Sequence, residues 1–195
     1  GTTYTCFSFT EGPLADTISK MIKLPACIEN DTRSMTYAEY VKGCCKGLKD
    51  VVFVNVCWGL GIGIIVNGEL YYGKSGYSGE FGHNPAYNNN IICHCGKIGC
   101  VETEASGRAL KRKLTEAILA GKQSILSDKV INRKEDLTLI DILEAISKED
   151  VLSLATLQQV ADELGKQLAG VINVFNPEML VIGGEMSVTG NYLTL

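Results

Sequence analysis

Between positions 151 and 175, Val151, Leu154, Leu157, Val160, Ala161, Leu164, Leu168, Val171, Ile172 and Phe175 recur at a helical period. This stretch is therefore expected to be one long amphipathic helix with its apolar stripe turned to a core. Asn176-Pro177 stops it, because the residue before a proline is pushed out of the helical region. The apolar run Met179-Leu180-Val181-Ile182 then enters Gly183-Gly184 as a buried strand does.

Upstream, 51–57 is rich in β-branched residues, and after Gly59, Gly61 and Gly63 strand character resumes at Ile64-Ile65-Val66. Asn67-Gly68 is a strong hairpin signal leading into 69–72. The expectation is a three-stranded meander whose first turn is glycine-rich. Pro25-Ala26-Cys27-Ile28 has the character of a short strand ending at Glu29-Asn30-Asp31. Ser34 or Thr36 can then cap a helix to about Leu48, with Met35, Tyr40, Val41, Cys44 and Leu48 as its apolar stripe. Further helices are expected over about 106–119, ended by Gly121, and about 139–146. Strands alternating with helices, plus one antiparallel meander, indicate a mixed α/β layered fold.

With 195 residues, 46% of them hydrophobic, there is apolar material for one substantial core or two small ones. The net charge is −4, and the one basic run, Arg108, Lys111, Arg112 and Lys113, has the spacing of a solvated helix face, so composition gives no support for nucleic-acid binding. No apolar stretch reaches the roughly 18 residues of a membrane span and the N-terminus lacks a signal-peptide layout, so a cytoplasmic location is expected. The chain stops soon after a strand and a glycine pair, with no closing element, which suggests part of a longer protein. Of eight cysteines, Cys27, Cys44, Cys45 and Cys57 sit in apolar periodic segments and are expected to be buried small hydrophobes.

Three of the other cysteines carry a pattern with chemistry in it. Cys93-x-Cys95-x4-Cys100 can converge three thiolates on one tetrahedral ion, with Gly96 and Gly99 relaxing the backbone between them. His83 is the better fourth ligand, because His94, wedged between Cys93 and Cys95, would strain the turn. A Cys3His set closes the shell of a structural zinc; reduced thiols without metal are the plain alternative. Asn30-Asp31 either simply begins a turn or supplies a general base, Asp31, with Asn30 orienting the same substrate. Gly59, Gly61 and Gly63 form either a bulged hairpin or a turn whose amides approach a sugar or phosphate. Glu80 and Glu102 bracket the cysteine loop and singly would be surface carboxylates.

Taken together, Glu80-x-Gly82-His83 followed by Cys93-x-Cys95-Gly96-x-x-Gly99-Cys100-x-Glu102 resembles the zinc and sugar signature of the ROK family, which groups sugar-responsive bacterial repressors with ATP-dependent sugar kinases of the actin-like, ribonuclease-H-like fold. Glu29-Asn30-Asp31 stands where that family places its catalytic aspartate. Gly59 to Gly63 matches its second phosphate turn, and Gly183-Gly184 its nucleotide-side glycine pair. The resemblance implies that His83, Cys93, Cys95 and Cys100 hold zinc. It also implies that Asn30, Asp31, Glu80, His83 and Glu102 contact sugar hydroxyls, and that Gly59, Gly61, Gly63, Gly183 and Gly184 serve a nucleotide if one binds. Residues 1–195 would be part of a ROK protein, mainly the C-terminal actin-like lobe with a zinc loop at 82–102.

Departures from the kinase pattern bear on which branch is meant. Leu60 stands where kinases carry a phosphate-binding threonine, Glu185 follows the glycine pair where a small residue is usual, and no Asp-x-Gly-x-Thr hairpin is present, though that hairpin lies upstream in the family. Arg33 is placed to hold Asp31 as an acceptor and lower its basicity. The resemblance thus implies the sugar-sensing effector domain of a ROK transcriptional regulator, with a small-molecule sugar as ligand. DNA would be bound through an upstream domain, and a dimer or tetramer is expected. The alternative is a ROK sugar kinase using Mg-ATP, with Asp31 as base, and a third is a sugar-binding protein with neither output.

Overall fold

The computed structural model describes residues 13–194. A four-stranded mixed sheet, β1 (Val51–Val56), β2 (Leu60–Val66), β3 (Glu69–Leu70) and β4 (Met179–Gly183), has the order β3-β2-β1-β4. The first three strands form the expected antiparallel meander, and β4 pairs in parallel with β1 from Val51↔Met179 to Asn55↔Gly183. Asn67 and Gly68, at φ 53° and 84°, make the tight turn their sequence demands.

Alternation along the strands divides the sheet into two faces. Val52, Val54 and Val56 with Leu60, Ile62 and Ile64 point into the main core. That core is completed by α3 (Gly107–Leu119), α4 (Leu139–Ser147) and α5 (Val151–Phe175), through Leu110, Leu114, Ile118, Ile142, Leu157, Val160, Leu164 and Leu168. The caps fit the sequence: Ser106 accepts from Ala109 N–H, Thr138 and Asp141 form a reciprocal capping box, and Asn176 ends α5 in the left-handed region.

On the opposite face lies α2 (Asp31–Lys42), preceded by α1 (Leu14–Ile22). Here the structure corrects the sequence reading. Residues 25–28 form no strand: the segment is irregular, Cys27 is exposed, and Ala26 N–H donates to Ser19 Oγ at 2.9 Å. Helix α2 starts at Asp31, not after Ser34 or Thr36, because Asn30 is the N-cap and its Oδ1 accepts from Arg33 N–H at 3.0 Å. It ends at Lys42, where Gly43 turns extended, and Met35, Val41 and Cys44 of the expected stripe are exposed. The residues turned to the sheet are Thr32 and Thr36.

The reason lies across the interface. Gly61 and Gly63 are not in a turn but within β2, on the α2 face. A Cβ on Gly63 would come 1.8 Å from Thr36 Oγ1, and one on Gly61 3.0 Å from Thr32 Oγ1. Two glycines opposite two threonines let the helix seat directly on the strand. Of the four cysteines expected to be buried, Cys45 is, Cys57 is half-buried, and Cys27 and Cys44 are exposed.

Candidate functional site

The 80–103 segment has little regular structure and is tied together by its own backbone. Phe81–His83 and Val101–Thr103 are single 3-10 turns. Between them Ala86 and Tyr87 donate to Gly99 O, Cys93 to Lys97 O, Gly96 to Cys93 O and Gly99 to Ile91 O, all at 2.8–3.0 Å. Gly99 is obligatory here: its φ is 69° and a Cβ would lie 1.8 Å from Tyr87 O.

This knuckle brings the His83, Cys93, Cys95 and Cys100 ligand atoms within 4.8 Å of one another. Cys95 and Cys100 Sγ are 3.7 Å apart, and Cys93 Sγ is 3.5 Å from His83 Nδ1. A tetrahedral zinc with ordinary bond lengths spans about 3.8 Å between sulfurs and about 3.5 Å between sulfur and nitrogen, so the donor set fits such an ion. Burial and the two neighbouring thiols push the Cys100 thiol up to about 12, a penalty on the thiolate that a cation at the centre offsets. A second group, His83, Cys93, His94 and Glu102, shares two of these residues. Its other two are bonded to a guanidinium: Arg108 Nη1 is 2.7 Å from His94 Nδ1 and 3.0 Å from Glu102 Oε1. A metal ion there would have to displace that charge, so the Cys3His set is the better match.

Beside the cluster opens a cleft of about 270 Å³, with Asn30 and Asp31 on one wall and Glu80, His83, His94, Glu102 and Arg108 on the other, close to the lower end of ligand pockets, which begin near about 300 Å³. His83 joins cluster and cleft: Nδ1 faces Cys93, and Nε2 lies 3.8 Å from Glu80 Oε2. Glu102 is buried, its Oε2 accepting from Leu60 N–H at 3.1 Å and its Oε1 held by Arg108 and by His94 at 2.8 Å. A Cβ on Gly59 would sit 2.8 Å from that Oε2, so the glycine makes room for the carboxylate. A larger apolar groove of about 530 Å³ lies between β2 and the end of α5; few polar groups converge on it.

Asn30, Asp31, Glu80, His83 and Glu102 are thus brought to one cleft, together with Gly59 and Gly61. Gly63 lies under Thr36, and Gly183 and Gly184 sit at the end of β4, outside the cleft lining. The β1–β2 turn is Cys57-Trp58-Gly59. Leu60 is already in β2 with its side chain in the main core, so it offers no group to the turn. Burial raises the Cys57 thiol pKa and the Gly59 backbone lowers it, while Asp31, Glu185 and Glu102 raise it further. Arg33 is not on Asp31: it pairs with Glu29 Oε1 at 2.8 Å, donates to Gly76 O at 2.7 Å and lies over the Tyr72 ring. Tyr72 in turn donates to Glu29 at 3.0 Å.

Two participants escape sequence reading. Arg108, taken as part of a solvated face, clamps Glu102. Asn55, the one amide in an apolar strand, donates from Nδ2 to Thr32 Oγ1 at 2.9 Å, while its buried Oδ1 has no partner among the described residues. The polar interruption of 51–57 was the signal for it.

A model of the ROK family matches residues 5–195. The chain belongs to the ROK family. A ROK glucokinase of Streptomyces griseus, solved with glucose and AMPPNP, superposes with a TM-score of 0.80 at 31% identity, over 93% of this chain and 59% of that one. The fold is accordingly the actin-like α/β fold of these proteins. The chain is 34% identical to a glucokinase of Halalkalibacterium halodurans over 93% of its own length and 55% of the relative's. It is 33% identical to the DNA-binding transcriptional dual regulator NagC of Escherichia coli over 89% and 41%. The chain thus spans about half the length of the ROK relatives it matches, and these include both regulators and kinases. Among the described residues no helix is long and apolar enough to cross a membrane.

Proposed function

We propose that the chain is the sugar-sensing part of a cytoplasmic ROK transcriptional regulator, whose DNA contacts lie in a domain outside these residues. In this reading a hexose-type sugar enters between Asn30-Asp31 and Glu80-His83-Glu102, where carboxylates accept its hydroxyl hydrogens. His83, Cys93, Cys95 and Cys100 hold a structural zinc. When bound, the metal supplies a fixed positive centre that sets the His83 ring so that Nε2 faces the sugar. The protein works as an oligomer, and sugar shifts DNA affinity by binding one domain arrangement better than another.

One observation carries the preference for regulator over kinase. The β1–β2 turn presents Cys57 and Trp58, and Leu60 is turned into the main core, so no side-chain hydroxyl donor is offered to a phosphate. Glu185 beyond the glycine pair adds a negative charge against a phosphate chain. The test uses the full-length protein with glucose and N-acetylglucosamine. Sugar-dependent release of operator DNA with no ATP consumption in a coupled assay is expected, and turnover of either sugar with ATP would overturn the reading.

The kinase reading has its own support: Asp31 stands at the first turn of α2 with its carboxylate on the cleft. There it would take the proton of a sugar hydroxyl attacking the γ-phosphate of Mg-ATP. It requires that Asp31→Asn abolish turnover while sugar binding persists.

A further inference from the structure

One buried amide lies under the Asp31 wall of the cleft. Asn55 is the sole polar residue of β1 and is 3% exposed. In register beside it stand Gly61 of β2 and Gly183 of β4, so neither neighbouring strand offers a side chain to it. Gly184 makes room for it as well: a Cβ there would lie 2.5 Å from Asn55 Oδ1. The amide reaches instead to the first turn of α2, where Nδ2 donates to Thr32 Oγ1 at 2.9 Å. Its Oδ1 has no partner among the described residues, and a buried unpaired acceptor costs the folded state. An apolar side chain of the same shape would avoid that cost, so fold stability is no reason for an amide here.

The hydrogen bonds run in one direction. A hydroxyl has one hydrogen and two lone pairs. Because Thr32 Oγ1 accepts from Asn55, its own hydrogen is free, and Asp31 Oδ1 takes it at 3.4 Å. The Thr32 backbone N–H reaches the same oxygen at 2.7 Å. Thr36, one turn on, shows the usual alternative for a helical threonine: its hydroxyl donates to the carbonyl four residues back, Thr32 O, at 2.6 Å. Two donors thus hold Asp31 Oδ1, while Oδ2 has no hydrogen-bond partner among the described residues. Oδ2 is the oxygen left for a ligand in the cleft that Asp31 lines.

We infer that Asn55, acting through the Thr32 hydroxyl, is a positioning residue for Asp31, fixing its carboxylate so that Oδ2 meets a sugar hydroxyl. The inference rests on the sugar-sensing reading of the cleft and adds which oxygen takes the sugar and what holds it. Without the tie, the carboxylate swivels about its soft terminal torsion. Each sugar that binds must then order it first, at a cost in affinity.

The test titrates glucose and N-acetylglucosamine into full-length protein by calorimetry, beside thermal melts without sugar. Thr32→Val keeps the shape of the side chain against Gly61 but has no hydroxyl, whereas Thr32→Ser keeps the hydroxyl. Affinity is expected to fall about three- to tenfold in Thr32→Val, the equivalent of one neutral hydrogen bond, and to recover to within about twofold in Thr32→Ser. Asn55→Leu should weaken sugar binding likewise while melting no lower than the wild type, a combination that a purely structural amide cannot give. Affinity unchanged in Thr32→Val and Asn55→Leu, or lost only in step with melting temperature, overturns the inference. Wild-type protein that binds neither sugar overturns the sugar reading instead. Crystals of full-length wild type and Thr32→Val then decide the tie: it stands if the Asp31 carboxylate has one orientation in the first and several in the second, and falls if the two agree.

Discussion

The two walls of the cleft are built on opposite principles. One is the first turn of a regular helix, held at its height by close packing: Thr32 and Thr36 rest on Gly61 and Gly63, and Asn30 caps the helix that carries Asp31. The other is an irregular loop tied by a handful of backbone hydrogen bonds, in which four potential metal-donor side chains converge. The first wall depends on the absence of two methyl groups at Gly61 and Gly63, the second on a charge balance. A packed wall tolerates loss of metal and fails when a methyl is added; the loop wall should do the reverse.

The largest expected effect is on the loop. With free zinc near 1,000 times its Kd, binding stabilises by about 4 kcal/mol, roughly 8–16 °C in melting temperature at this size. Cys100→Ser should lose that increment and bring metal analysis from about one zinc per chain to near none; unchanged melting and zinc content would break the comparison. Next, Gly63→Ala should cost about 1–3 kcal/mol by overpacking against Thr36, seen in denaturant melts with zinc content unaltered. Adding Thr36→Ala should recover at least half of it, since the clash is with that side chain. A smaller effect is expected from Arg33→Ala, which unties α2 from the loop at Gly76: about 1 kcal/mol, or roughly three- to tenfold weaker sugar binding by calorimetry. Arg33→Lys would restore only part, because it cannot serve Glu29 and Gly76 O in one plane.

The smallest is a control away from both walls. Burial works against the Asp141 carboxylate, but Lys129 and Thr138 outweigh it and hold it near about 2. Because the folded value is the lower one, the stability this group contributes is present above its ordinary value near about 3.9 and is lost as pH falls from there toward about 2. Asp141→Asn should flatten that limb of the acid melt and leave zinc and sugar binding alone.

How much could be read from the chain follows the same division. Cysteine spacing with His83 announces the loop wall, because ligand identity and the glycines between ligands are local in sequence. The sheet, α3, α4 and α5 were legible from periodicity and caps. Helix α2 was expected, but neither its start nor its buried face: its buried residues are threonines, and their partners are glycines of a strand some thirty positions on, so the apolar stripe read from the sequence is not the face that packs. Gly61 and Gly63 read as a turn for the same reason, since a glycine needed for interhelix–sheet distance and one needed for φ look alike. Arg33 and Arg108 were misplaced because long side chains choose partners, Gly76 O and Glu102, that only the fold brings near.

The parallel pairing of β1 with β4 has a consequence for how the protein is made. Met179 follows Val51 by 128 positions, so at about 5–20 residues per second a ribosome needs roughly 6–26 s to deliver the strand that covers β1. The β1–β2 hairpin forms at once from neighbouring residues, and for that interval the five positions of β1 that β4 later pairs, apolar except for Asn55, wait with one edge open. Chaperone capacity in the expression host should therefore govern yield more than any property of the cleft.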